Sequence, residues 1–151
     1  MIYKSKNTEQ TYLLAKRLAK YIKGGDIILL NGDLGAGKTT FVKGFALNKG
    51  IVEPVTSPTF TLLKTYDADD FTIVHVDAYR LDGSSFEELD DYINDENVIF
   101  IEWSSCLNSM EMIDSYLSID IKYKSKNQRD YILTAVGERY EKMLKELSED
   151  E

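Results

Sequence analysis

The sequence predicts an α/β domain of three layers built on a mixed, partly antiparallel sheet. Three observations predict it. Apolar residues recur at helical spacing in the first segment, and helices then alternate with short continuous apolar runs. The later runs instead alternate apolar with polar residues around a polar turn. Continuous runs suit parallel strands buried on both faces, and alternating runs suit antiparallel strands with one wet face.

Taken in order, "NTEQTYLLAKRLAKYIK" places Thr11, Leu14, Ala15, Leu18, Tyr21 and Ile22 on one helical face. Asn7 or Thr8 caps its start, and Gly24-Gly25 ends it. "DIILLN", Asp26–Asn31, reads as a buried parallel strand. After a glycine-rich loop, "TTFVKGFALNK" reads as a helix closed by Gly50. "SPTFTLLKTY" and "FTIVHVDAY" are rich in Thr, Val, Ile and aromatics, and they pair as a hairpin through the turn in "DADD". "SSFEELDDYIND" reads as a capped helix with Phe86, Leu89, Tyr92 and Ile93 on one side. "NVIFIEW" is another buried strand, while "YLSIDIKYK" and "RDYILTAV" form an antiparallel pair around "SKNQ". A final helix, "ERYEKMLKELSED", frays into acid from Glu146 onward.

The 151 residues suit one domain, 1–151, with a core that needs no disulfide. One cysteine, Cys106, suits a reducing cytoplasm and leaves no internal disulfide to form. No apolar run approaches a membrane span, and the start "MIYKSKNTEQ" is too polar for a secretory signal. The formal net charge is −8. A chain that grips nucleic acid directly usually carries a basic face. The acidic balance therefore reads first as solubility and otherwise as leaving any nucleic acid to a partner; charge alone does not decide between the two.

The chemistry concentrates in "LLNGDLGAGKTTFVKG", Leu29 to Gly44. Gly32-x-x-x-x-Gly37-Lys38-Thr39 fills the P-loop pattern G-x-x-x-x-G-K-[ST], after a strand and before a helix as the pattern requires. This makes the expected fold a P-loop NTPase-like one. Glycines let backbone N–H groups turn inward and approach phosphate oxygens closely. Lys38 would reach the β- and γ-phosphates, and the Thr39 hydroxyl would ligate Mg²⁺. A carboxylate at a strand end is needed on the metal side. Glu102, after "NVIFI", and Asp77, after "FTIVHV", both fit. Glu102 is favoured for the metal and Asp77 for its waters or the attacking water, although strand position alone leaves the order open. The guanine signature N-K-x-D is not matched by "KNQRD", which points to ATP.

Together, "GDLGAGKTTFVKG", "SPTFTL" (Ser57–Leu62), "HVDAYRL" (His75–Leu81) and "EW" (Glu102-Trp103) resemble the TsaE family, in that order. These are small bacterial P-loop ATPases needed for threonylcarbamoyladenosine modification of tRNA. The resemblance implies binding of ATP and Mg²⁺, weak ATPase activity alone, and work with TsaB and TsaD, which would leave tRNA contacted only through those partners. The family's phosphate loop maps onto Gly32 to Thr40, so Asp33, Leu34, Gly35, Ala36, Gly37, Lys38, Thr39 and Thr40 would hold the nucleotide. Its metal-side glutamate maps onto Glu102, its H-x-D-x-Y-R acid onto Asp77, and its switch-like threonine segment onto Ser57–Thr61. The implied catalytic set is Lys38, Asp77 and Glu102, with Thr39 and Glu102 on the metal. "EWSSCL" departs from the family, which often carries a further acid shortly after the E-W pair.

Four residues have competing readings. His75 shares a strand face with Asp77 and Tyr79, so it orients Asp77 or a water, or else packs as a core histidine. Arg80 pairs with Asp82 or Glu87 unless a partner draws it toward the γ-phosphate. Trp103 packs in the core by default, and Cys106 has nothing nearby in sequence to lower its pKa. Two other functions fit a P-loop. One is a small-molecule kinase with "YRLDGSSFEELDD" as its lid, although that lid offers only Arg80 amid five carboxylates. The other is a nucleotide switch whose output is binding alone.

Overall fold

The computed structural model describes residues 1–32, 37–56, 63–77, 91–103 and 113–150, without the side chains of residues 77 and 103. Among these residues, seven strands and three helices run in the order β1 (Ile2–Ser5), α1 (Thr8–Ala19), β2 (Ile27–Asn31), α2 (Lys38–Leu47), β3 (Leu63–Asp67), β4 (Thr72–Asp77), β5 (Asn97–Trp103), β6 (Tyr116–Tyr123), β7 (Arg129–Val136) and α3 (Glu138–Glu149). The strands form one sheet in the order β1-β7-β6-β2-β5-β4-β3. The inner pairs β6/β2, β2/β5 and β5/β4 are parallel, and the outer pairs β1/β7, β7/β6 and β4/β3 are antiparallel. This is the mixed α/β sheet that the two kinds of apolar run predict.

Strand patterning matches burial. In β2 the four residues Ile27, Ile28, Leu29 and Leu30 are all buried, because the strand has a parallel neighbour on each side and packed residues on both faces. One face, with Ile28, Leu30, Ile73, Phe100, Leu117 and Ile119, packs under α1, α2 and α3. The other face gathers Ile27, Leu29, Val74, Val76, Ile99 and Ile101 against Ile113, with Leu63, Tyr92 and Ile93 at its margin.

Local chemistry explains the helix ends. Asn7 caps α1 by accepting from Gln10 N at 2.9 Å, while Gln10 Oε1 accepts from Lys6 N at 2.7 Å, a reciprocal closure of the first turn. α1 is shorter than its periodicity suggested: Tyr21 and Ile22 follow it in a turn bonded back to Leu18 O, yet Ile22 still reaches the core. α1 and α2 pack closely because Gly44 has no side chain. A Cβ there would come within 2.6 Å of the Tyr12 ring. Phe41 and Phe45 then reach down onto Phe100, with Phe45 edge-on at 4.9 Å between ring centroids.

One expectation is corrected, and one element was not read in the sequence. The last residues of the helix read in "SSFEELDDYIND", Asp91 to Asp95, form turns; the rest of that segment lies outside the described residues. β1 had no sequence reading at all. Four residues carry too little periodicity to register, and β1 exists because its register, Ile2↔Ile132 to Ser5↔Arg129, pairs it with β7. α3 runs to Glu149 and buries Tyr140, Met143 and Leu147.

Candidate nucleotide and metal site

Because β2, β5 and β4 are mutually parallel, their carboxyl ends meet at one edge of the sheet. Ligands of open α/β sheets gather outside such ends. Glu102 stands in register with Leu30 of β2 on one side and with Asp77 of β4 on the other. β2 ends at Asn31, and α2 begins at Lys38.

Gly37 sets the entry to α2 with φ 109° and ψ 21°, a left-handed conformation. A Cβ on Gly37 would meet none of the described residues within 4 Å, and its positive φ is the conformation that calls for glycine there. Gly37 gives α2 no side-chain cap, and the positive end of the helix dipole suits an anion. Lys38, only 7% exposed, donates from Nζ to Gly32 O at 2.8 Å and ties the two ends of the loop together.

The next residue makes the central contact. Thr39 Oγ1 donates to Glu102 Oε1 at 3.0 Å. Glu102 is 5% exposed, and burial alone would push its carboxyl up. Contact with His75, the Thr39 hydrogen bond and the Lys38 charge outweigh burial and hold the group below the usual carboxylate range. It is therefore an anion at neutral pH. His75 Nε2 lies 3.4 Å from the same Oε1, outside hydrogen-bond alignment. The expected partner Asp77 has its side chain outside the described residues, and the described contact of His75 is with Glu102.

A hydroxyl beside a single carboxylate is an oxygen donor set that suits Mg²⁺, which keeps waters and phosphate oxygens in its remaining positions. Among the described residues no group of three or more His, Cys, Asp or Glu is assembled. Thr39 and Glu102 could supply two of a metal's oxygen ligands.

Lys38, Thr39 and Glu102 are thus brought together, with Gly37 and Thr40 in the same helix entry. Asp77 lies beside Glu102 by backbone register. Asp33, Leu34, Gly35, Ala36, Ser57–Leu62, Arg80 and Cys106 lie outside the described residues. So do Ser104 and Ser105, where the family's further acid is replaced.

One part of the site had no sequence signal. A small polar pocket beside the start of α2 is lined by Asn7, Thr8, Thr40, Lys126, Arg129 and Tyr131. Its walls come from the α1 N-terminus, α2 and the β6–β7 turn, segments too far apart for any spacing rule to join them. Ser5, Thr11 and Tyr131 are linked by hydroxyl contacts of 2.9 Å that fix its floor. Arg129 braces the turn by donating to Ser125 O at 2.6 Å and Gln128 O at 2.9 Å.

Comparison with known proteins follows the same residues. The family model described as "Threonylcarbamoyl adenosine biosynthesis protein TsaE" matches residues 5–131. The tRNA threonylcarbamoyladenosine biosynthesis protein TsaE of Bacillus subtilis strain 168 is 41% identical over 147 residues, 97% of this chain and 92% of its own length. The protein of the same name from Streptomyces coelicolor is 37% identical over 136 residues, 84% of this chain and 91% of its own length. The crystal structure of Bacillus subtilis YdiB is similar at a TM-score of 0.84 and 39% identity, covering 99% of this chain and 95% of that one.

Proposed function

Since the chain belongs to the TsaE family of tRNA threonylcarbamoyladenosine biosynthesis, we propose that it is the ATP-binding and ATP-hydrolysing subunit of that modification, acting with TsaB and TsaD. The observation that carries this reading is the Thr39–Glu102 contact at 3.0 Å, one residue from the buried Lys38. Phosphate oxygens meet the N-terminal end of α2 and the Lys38 ammonium, and the positive end of the helix dipole supports that reading. Thr39 and Glu102 would hold Mg²⁺, which would supply positive charge against the charge developing on the departing phosphoryl group. Asp77, at the adjacent strand end, positions the attacking water. No covalent intermediate on the protein is needed; the work is positioning and electrostatics.

The chain's net charge of −8 supports contact with tRNA through its partners rather than directly. None of the described helices is long and apolar enough to cross a membrane, and the cytoplasm is the proposed compartment. Purified protein titrated with ATP and Mg²⁺, alone and with TsaB–TsaD, tests the whole reading. Phosphate release that rises with the partners and is lost in Lys38→Ala supports it. Phosphate transfer to a metabolite would make the protein a kinase, and modification that persists in a hydrolysis-dead Glu102→Ala variant would make it a switch.

A further inference from the structure

His75 is the only histidine in the sequence, and it stands completely buried in β4, where the same face carries Ile73 and, across the register, Phe100. An apolar side chain would be the ordinary choice there. Neither ring nitrogen has an aligned hydrogen-bond partner among the described residues, and burying a polar ring in that state is costly. The ring's described polar contact is with Glu102 Oε1, 3.4 Å from Nε2. This follows from register: His75 pairs with Phe100, and Glu102 lies two residues further along β5, a diagonal neighbour on the same face. Oε1 is thus approached from two directions, by the Thr39 hydroxyl and by the imidazole. Oε2 takes no hydrogen bond among the described residues.

We propose that His75 is a positioning residue that presses its Nε2 edge against Glu102 Oε1 and so fixes the carboxylate with Oε2 left open for the metal side. This deepens the nucleotide reading and rests on Glu102 being the metal-side carboxylate. The arrangement demands one tautomer. A neutral imidazole has one donor and one acceptor nitrogen, and two acceptors facing each other would repel. Nε2 therefore carries a proton toward Oε1, and Nδ1 has no hydrogen-bond partner among the described residues. Thr39 alone would restrain Oε1 from one direction only, and its hydroxyl is also needed by the metal. His75 supplies the restraint that does not compete with that role.

The test compares the parent with His75→Leu, which removes the polar edge at similar bulk, and with His75→Gln, which returns an N–H donor. ATP affinity is measured by calorimetry with and without Mg²⁺, after melting curves establish that each variant is folded. His75→Leu is expected to lose about 10- to 100-fold of the affinity that Mg²⁺ adds, the range for an outer-shell partner, with magnesium-free affinity unchanged. His75→Gln is expected to recover most of it. Long-range ¹H–¹⁵N spectra of the unliganded parent are expected to show the Nε2–H tautomer. A folded His75→Leu with the full magnesium gain would overturn the proposal, and so would an Nδ1–H tautomer, which needs no variant to be stable. A parent that binds no ATP at all would instead overturn the nucleotide reading, leaving the tautomer to decide the His75–Glu102 contact by itself.

Discussion

The Thr39 hydroxyl donates to Glu102 Oε1 at 3.0 Å, joining the second residue of α2 to the sixth residue of β5. A donating hydroxyl turns its lone pairs away from its acceptor, so one side chain can bind Glu102 and a metal together. Replacing Thr39 by Ala removes both roles, whereas Ser keeps both. Thr39→Ala is expected to lose about 10- to 100-fold in magnesium-dependent ATP affinity, and Thr39→Ser to stay within a few-fold of the parent. Calorimetry with and without Mg²⁺ distinguishes them, and equal losses in both variants would mean that the methyl group, not the hydroxyl, matters.

Lys38 is buried at 7% exposure and bonded to Gly32 O, so its ammonium is held in place before any phosphate arrives. A charged hydrogen bond contributes about 1.5–3 kcal/mol, which is roughly 10- to 150-fold in affinity. Lys38→Ala is expected to weaken ATP binding by that much and to weaken adenosine binding little. A loss equal for both ligands would place the lysine's role in folding rather than in phosphate recognition.

Tyr140 gives the fold a signature at alkaline pH. Its hydroxyl accepts from Ile27 N at 2.8 Å, at the point where β2 begins. Burial pushes the phenol up to about 12, beyond what the Ile27 bond and Arg139 pull back. The folded chain therefore holds this proton more tightly than the unfolded chain. That stabilisation is complete below the ordinary value of 10.0 and is lost as pH rises toward about 12. Unfolding measured across that window is expected to lose about 2–3 kcal/mol through this residue. Tyr140→Phe is expected to be less stable at neutral pH by about 1–3 kcal/mol, because Ile27 N–H loses its acceptor. It should also show a shallower alkaline decline, and an unchanged decline would assign the proton to another group.

Gly44 tests the packing that carries Phe41 and Phe45 onto the sheet. Alanine in a helix interior gains about 1 kcal/mol over glycine. Here the new Cβ would lie 2.6 Å from the Tyr12 ring, and overpacking of that kind costs about 1–3 kcal/mol. Gly44→Ala is expected to lower the melting temperature, and the same change in a Tyr12→Ala background is expected to raise it. A stabilised single variant would show that Tyr12 swings aside freely.

The interior of this protein was largely legible as sequence. The glycine, lysine and threonine of the loop sit at spacings that strand–loop–helix geometry demands, and "DIILLN" and "NVIFIEW" are apolar enough to be parallel strands wherever they pair. Those signals are local: a helix or strand declares itself through neighbours a few residues away. What only the tertiary structure decided was pairing across the chain. Register put Glu102 against Thr39, 63 residues apart, and beside His75 on the neighbouring strand. β1 needed β7 to become a strand, and the polar pocket needed three distant segments to meet. Such contacts depend on strand order and on the offset of one strand against another. Many arrangements of the same apolar pattern would satisfy local periodicity equally well, and the choice among them is made by burial over the whole sheet.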